Sequence, residues 1–153
     1  MRSFMFIAAI ALPAVAQADW AYTDTYTVAS VPSEGMRLVV DCSRPGGEAQ
    51  FRLDGFSEIG ADGPYTGPTA FLTGPDIEDV YGAECTSGSC VLGPAPNLPA
   101  DQQAAQMPAL AEAWRSAQVF DVTVYRGGAV GAFDMTGSAA VIAELEGAGC
   151  TMP

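Results

Sequence analysis

The chain contains no histidine and no lysine, because all six of its basic residues are arginines. A serine or cysteine nucleophile activated by histidine, a histidine-ligated zinc, a Schiff-base lysine and a P-loop lysine are therefore excluded. The chemistry that remains depends on carboxylates, tyrosine, serine or cysteine.

Positive charge is scarce overall. The 153 residues include six basic and eighteen acidic side chains, which gives a formal net charge of −12. Nucleic acids and anionic lipid surfaces are bound through clustered arginine and lysine that neutralise phosphate. The charge balance therefore argues against both as partners.

Long apolar runs are absent except at the N-terminus. There, residues 4–15 follow Arg2 and precede Ala16-Gln17-Ala18, a small-x-small pattern that signal peptidase accepts. The run is shorter than the ~20 residues of a membrane span. We therefore expect a signal peptide over residues 1–18 with cleavage after Ala18, and an uncleaved N-terminal anchor is the alternative.

Removal of eighteen residues from 153 leaves residues 19–153, or 135 residues with a formal charge of −13 once Arg2 is lost. This length suits one domain with a single core. We expect an acidic, exported chain that is periplasmic or secreted and has no membrane span in its mature form.

Four cysteines form an even set, which in an exported chain predicts two disulfides. Three pairings are possible. Cys85 and Cys90 flank a small polar turn, so a bond across one hairpin is expected, and this leaves Cys42 to pair with Cys150. Loop-closure entropy predicts about 4–5 kcal/mol for the long bridge and roughly 2 for the short one. A four-cysteine zinc site is the alternative, but its ligand spacing is poor.

The first half of the chain alternates apolar and polar residues, as β-strands do. Trp20–Val28 predicts a first strand, Met36–Cys42 a second and Ala49–Asp54 a third, with turns at Pro32–Gly35 and Arg44–Gly47. We expect these three strands to form a meander.

The middle of the chain is broken by glycine and proline. Ser57–Pro68 predicts a long surface loop, Thr69–Leu72 a short strand and Gly93–Pro99 an irregular connector. Between them, an acidic loop with Asp76, Glu78 and Asp79 precedes the two arms of the cysteine hairpin, Val80–Cys85 and Cys90–Leu92.

A first helix is indicated within Asp101–Ala117 by Met107, Leu110 and Trp114, which recur at spacings of three and four. Because proline is tolerated only in the first turn, the helix is predicted from about Pro108 to Ser116. We expect Trp114 to be a core residue and not a ligand platform.

A β-hairpin is predicted next. If Gly127-Gly128 forms a two-residue turn, Phe120 opposes Met135. One face is then wholly apolar and consists of Phe120, Val122, Val124, Phe133 and Met135. The same register places Asp121 opposite Asp134, which is unfavourable unless water, a cation or a shifted register separates the two carboxylates.

A second short helix follows, capped by Ser138 and ended by Gly147 or Gly149 before Cys150. Its predicted apolar stripe consists of Val141, Ile142 and Leu145. Glu144 and Glu146 are predicted to face solvent. The chain is thus predicted to be mainly β, as an antiparallel β-sandwich or partly open barrel with two short helices, stabilised by disulfides.

The order of these C-terminal elements is similar to that of a known group. It consists of Met107-Pro108-Ala109-Leu110 to Ala113-Trp114, a hairpin, Phe133-Asp134-Met135-Thr136-Gly137-Ser138, a short helix and Cys150. It resembles small exported proteobacterial proteins of the invasion-associated locus B type, and exported accessory proteins encoded with type VI secretion systems. A weaker likeness lies in Met36–Cys42. The resemblance implies a periplasmic β-sandwich without known catalytic residues. The chain lacks the Trp-x-x-Cys opening of the invasion-associated pattern.

These observations favour an exported, non-enzymatic binding or envelope-associated protein whose partner is an unknown protein or envelope component. No catalytic, cofactor-binding or metal-ligating residue is predicted. The alternative is a carboxylate-based hydrolase or a calcium-binding domain, at Asp76, Glu78 and Asp79 or at Asp121 with Asp134. Calcium takes six to eight oxygens in an ordered loop, so we expect a solvated acidic loop. A glycosidase would need two carboxyl groups about 5–10 Å apart.

Overall fold

A computed structural model describes residues 20–23, 28–33, 35–55, 68–74, 77–86, 88–124 and 130–153. The predicted signal peptide and nearly all of the predicted Ser57–Pro68 loop lie outside these ranges. The elements, in chain order, are β1 (Ala21–Thr23), β2 (Val28–Ser33), β3 (Met36–Asp41), β4 (Gln50–Asp54), β5 (Pro68–Gly74), β6 (Ile77–Thr86), β7 (Ser89–Gly93), α1 (Ala100–Ser116), β8 (Val119–Val124), β9 (Val130–Asp134) and α2 (Ser138–Gly147).

The strands form one antiparallel sheet in the order β1-β2-β3-β4-β7-β6-β5-β8-β9. The prediction of a mainly β, antiparallel fold with two helices and two disulfides is confirmed. The sheet curls until β2 approaches β9, and Gly131 lies so close to the Met36 side chain that a Cβ would collide with it. Within the described residues no ladder joins β2 to β9, so the sheet stays open there.

The prediction of one strand over Trp20–Val28 is wrong. Ala21–Thr23 pairs antiparallel with Val28–Ser30, so the chain reverses direction between β1 and β2. No glycine or proline separates the two arms, and Asp24 is the single usual turn residue between them, so the signal for a turn is weak. The meander of β2, β3 and β4 is confirmed.

Helix α1 is longer than predicted, because it begins at Ala100 and has Pro108 in its interior. A proline at this position removes the backbone hydrogen bond to the carbonyl of Ala104. Ala104 and Pro108 are both exposed, so water can reach that carbonyl and the helix continues through the proline. The predicted stripe is confirmed, since Leu110 and Trp114 are fully buried and Met107 is half-buried.

The core is centred on Trp114, as expected. Its ring makes an edge contact with Phe51 at 4.9 Å between centroids, and lies 6.2 Å from each of Trp20 and Phe120. These contacts join α1 to β4, to β8 and to the residue that precedes β1. The curled sheet and the helix therefore share a single core.

The predicted register of the β8–β9 hairpin is wrong by two residues. Phe120 pairs with Phe133 and not with Met135, and Asp121 pairs with Ala132. A shift of two residues leaves every side chain on the same face of the sheet, so the apolar pattern cannot distinguish the two registers. The buried face itself is confirmed at Phe120, Val122, Phe133 and Met135.

Helix α2 begins after Gly137, which has a φ of +91°, and Ser138 is its first residue. Gly137 occupies the N-cap position and Ser138 is buried inside the first turn, so the prediction that Ser138 caps the helix is wrong. The other end is as expected. Gly149 has a φ of +96°, and the Cys150 N–H bonds the Leu145 carbonyl at 2.9 Å, which is a Schellman ending.

The structure has the predicted cysteine pairing, Cys42 with Cys150 and Cys85 with Cys90. No cysteine is free, which contradicts the alternative of a four-cysteine zinc site. Among the described residues, neither helix has the length and apolar character required to cross a membrane.

Candidate functional site

A groove of about 480 Å³ opens at one end of the sheet, where β4 and β7 separate. The ladder between these strands runs from Asp54 and Ser89 to Arg52 and Val91 and, in the described residues, stops there. The next residues in register, Phe51 and Leu92, line the groove and are not paired with each other. Met107 of α1 forms a third side.

The groove has a mixed lining and a charged rim. Phe51 and Leu92 lie buried beneath its floor and Met107 is half-buried, while polar and apolar atoms share its accessible surface about equally. Arg44 and Glu48 at the rim are exposed and of opposite charge. Concave surface that combines apolar side chains with a few charged groups is suited to binding a ligand or partner.

One side of the groove consists of Arg44–Ala49, which we call the groove wall. The last residues of the chain, Gly149–Pro153, lie against it and are called the C-terminal tail. The Thr151 N–H donates to the Gly47 carbonyl at 2.7 Å, and the Ala49 N–H donates to the Thr151 carbonyl at 2.9 Å. These two bonds form a parallel bridge between the tail and the wall.

The contact between wall and tail leaves little room for side chains. A Cβ on Gly47 would lie 2.7 Å from the Gly149 carbonyl oxygen, which is closer than such atoms approach in proteins. Gly47 also has a φ of +69°, which disfavours other residues. Glycine at position 47 is therefore required both by conformation and by the approach of the tail.

A polar network crosses β3, β4 and β7 immediately beside the groove. Arg52 donates to Asp41 and, at 3.1 Å, to Asp54. Ser43 donates to Asp41 through its N–H at 2.9 Å and its hydroxyl at 2.6 Å, and Ser89 donates to Asp54 at 2.5 Å. Each carboxylate is thus already engaged by protein donors.

Asp41 is unsuited to general acid catalysis. Burial raises its pKa, but the hydrogen bonds from Ser43 and the charge of Arg52 outweigh burial and hold the pKa below its ordinary value. A glycosidase acid needs a raised pKa in order to carry a proton near neutral pH. The network of Asp41, Arg52 and Asp54 therefore supports the sheet and gives no evidence for the hydrolase alternative.

The described part of the predicted acidic loop also has a structural role and is not a ligand site. Glu78 and Asp79 belong to β6, so the prediction of a solvated loop is wrong for these positions. Asp79 accepts from the Val80 N–H and from the side-chain amide of Gln106, both at 2.8 Å. Asp76 lies outside the described residues, as does the side chain of Glu78. Burial, with a smaller contribution from Asp79, raises the pKa of Tyr81.

The predicted pair of Asp121 and Asp134 does not form, because the register places Ala132 opposite Asp121 and Val119 opposite Asp134. Asp134 accepts instead from the Thr136 N–H at 2.9 Å, and hydrogen bonding to Thr136 lowers its pKa. In the part of the chain that the structure describes, no three cysteine or acidic side chains are grouped to hold a metal ion.

Sequence reasoning missed the groove, the Arg52 network and Gln106. Arg52 and its partners had a detectable signal, since Asp41 and Arg52 have opposite charges and lie on the same face of two consecutive strands. The groove had none, because its sides come from three separate segments of the chain. Gln106 carried no signal in the sequence, because helical periodicity is read from apolar residues and glutamine is polar.

Comparison with protein-family models, with curated proteins and with solved structures finds no match to this chain. Its function is therefore inferred from the groove and from the residues that build it.

Proposed function

We propose that this chain is an exported, non-enzymatic binding domain of the periplasm or cell envelope, and that the groove holds its partner. The observation that carries the proposal is the groove itself, with buried Phe51 and Leu92 at its floor and Arg44 and Glu48 at its rim. Its volume lies within the range of about 300–1,000 Å³ that is common for ligand sites.

The compartment is proposed from two observations. Disulfides persist in oxidising compartments and are rare in the cytosol, and this chain has two of them. The N-terminal sequence up to Ala18 has the pattern of a cleavable signal.

The partner is proposed to be a protein or envelope component that presents an apolar side chain or short apolar segment. The floor would bury that segment, while Arg44 pairs with a carboxylate and Glu48 with a cationic group of the same partner. This arrangement follows the general division between a buried apolar anchor and a polar rim in protein interfaces.

Export is tested by expressing the full chain in a Gram-negative host and sequencing the N-terminus of the product in the periplasmic fraction. We expect a product that begins at Asp19. A product that retains Met1 in the cytosolic or membrane fraction would contradict the proposal of export.

Binding is tested with the variant Arg44→Glu and the matched control Arg115→Glu, which changes the net charge equally. Arg115 lies in the last turn of α1, bonded to Glu146 at 2.5 Å. Tagged proteins are incubated with envelope extract of the source organism. We expect Arg44→Glu to lose the partner that the wild-type protein and Arg115→Glu retain. Equal retention by both variants, or equal loss, would contradict binding at the groove.

A further inference from the structure

The groove wall is weakly supported by its own residues. It is exposed at Arg44, Pro45, Gly46 and Glu48, and its internal hydrogen bond joins the Gly47 N–H to the Arg44 carbonyl at 3.0 Å. Gly46 and Gly47 both have positive φ angles, and two glycines increase the backbone entropy that is lost when the wall is ordered.

External support comes from the C-terminal tail, through the two hydrogen bonds that Thr151 makes with Gly47 and Ala49. The net contribution of two backbone hydrogen bonds is comparable to the entropy lost on ordering the few residues involved. Ala49 of the wall and Met152 of the tail also pack, half-buried, against the core, and a covalent link adds the further constraint that keeps the tail in place.

That constraint is the Cys42–Cys150 disulfide. Cys42 follows β3 directly and leads into the wall, while the Schellman ending of α2 directs Cys150 toward it. The bond spans 108 residues, and both cysteines are buried. One covalent link thus fixes the tail within two residues of the wall, with Thr151 immediately after Cys150.

We propose that formation of the Cys42–Cys150 bond assembles the groove wall, so that the groove is complete only in the oxidised protein. In the reaction, the Cys42 thiolate attacks a disulfide-bearing oxidant, and the Cys150 thiolate then displaces the oxidant from the mixed disulfide. Two electrons and two protons pass from the two thiols to the oxidant, which leaves as two thiols. The biological meaning of this coupling rests on the proposed function, because it makes binding conditional on export.

The test compares two double variants of the full chain, Cys42→Ala/Cys150→Ala and the control Cys85→Ala/Cys90→Ala. The control also removes one disulfide, but its hairpin retains the ladder from Ala83 and Leu92 to Thr86 and Ser89. Residue-resolved amide hydrogen exchange is measured under native conditions, and no binding partner is required.

In the first variant we expect the amides of Ala49 and Thr151 to lose roughly tenfold more protection than Val40 in β3, whose protection falls only with the global stability that the bond contributes. In the control, Ala49 and Thr151 should keep the wild-type rate. Wild-type protein with and without dithiothreitol provides a second measurement that does not require a variant to fold.

Two results would overturn the proposal. If Ala49 and Thr151 stay protected without the bond, the tail holds the wall unaided. If the protection of Val40 falls by the same factor as that of Ala49 and Thr151, the bond maintains the whole fold and not the wall in particular. Either result leaves the groove as a binding site open to test, since that site is assessed separately with Arg44→Glu.

Discussion

Gln106 joins three parts of the fold, and its replacement by leucine should destabilise the protein strongly. Its side-chain oxygen accepts from the Ala95 N–H at 2.7 Å, and its amide donates to Asp79 at 2.8 Å and to the Val80 carbonyl at 3.0 Å. Gln106 is 5% exposed and Ala95 is 2% exposed. In Gln106→Leu the buried Ala95 N–H has no acceptor, so water cannot compensate for the lost bond.

The magnitude follows from these contacts. A buried, unsatisfied N–H costs about 1–3 kcal/mol, and each of the other two bonds contributes about 0.5–1.5 kcal/mol. Part of this loss is offset by burial of the leucine side chain, so we expect a loss of about 2–4 kcal/mol in the free energy of unfolding. Urea unfolding at pH 7 should show a midpoint lower by about 1–2 M, for a slope of about 2 kcal/mol/M.

Gln103→Leu is the matched control, because it makes the same substitution one turn earlier in α1. Gln103 is only half-buried, and its amide donates to the Leu98 carbonyl at 2.7 Å. We expect this variant to lose at most about 1 kcal/mol. If Gln106→Leu falls within about 0.5 kcal/mol of Gln103→Leu, the bonds of Gln106 do not hold α1 to the sheet.

Three further predictions concern stability. Because the pKa of Asp41 is lowered in the folded state, its contribution is present above about pH 4 and is lost as the pH falls through the folded pKa. In urea unfolding, Asp41→Asn should therefore lower the free energy of unfolding by about 1–3 kcal/mol at pH 7 and by progressively less in acid. A difference between wild type and variant that stays constant with pH would refute this. Gly149→Ala should lower the free energy of unfolding by about 1 kcal/mol, because φ at Gly149 is +96°. Gly147→Ala should be neutral or slightly stabilising. Equal effects of the two variants in thermal unfolding would contradict the Schellman ending. The changes in the free energy of unfolding caused by Asp121→Asn and Asp134→Asn should add within about 0.5 kcal/mol in the double variant. A larger coupling would indicate the register in which the two carboxylates face each other.

Much of the fold could be predicted from local pattern. The alternation in Met36–Cys42 and the spacing of Leu110 and Trp114 identify buried faces, because burial of apolar surface dominates folding. The pairing of Cys42 with Cys150 followed once Cys85 and Cys90 were assigned to one hairpin. These predictions depend only on which face of an element is apolar, and that information is local.

The errors arose where the apolar pattern carries no information. A register shift of two residues preserves both faces of the β8–β9 hairpin, so Asp121 and Asp134 were predicted to face each other. The sequence predicts a helix start at Pro108, because an interior proline is unfavourable. The exposed position of Ala104 and the bonds of Gln106 are tertiary facts that offset this penalty.

The candidate site could not be predicted from the sequence, because it forms where the ladder between β4 and β7 ends. Nothing local to Phe51 or Leu92 indicates that β4 and β7 separate beyond Arg52 and Val91. The approach of the C-terminal tail to the groove wall is equally non-local, with 108 residues between the two cysteines that secure it. Long-range contacts of this kind are specified by the whole core.

Site-specific photo-crosslinking shows whether the groove holds the partner. A photoreactive phenylalanine analogue is placed at Met107 on the groove or, as the control, at Val119 on β8, which is 45% exposed. Each full chain is irradiated in envelope extract of the source organism. We expect a covalent adduct of discrete mass from position 107 that disappears in the Arg44→Glu background, and none from position 119. Adducts of the same mass from both positions, or from position 119 alone, would contradict the account.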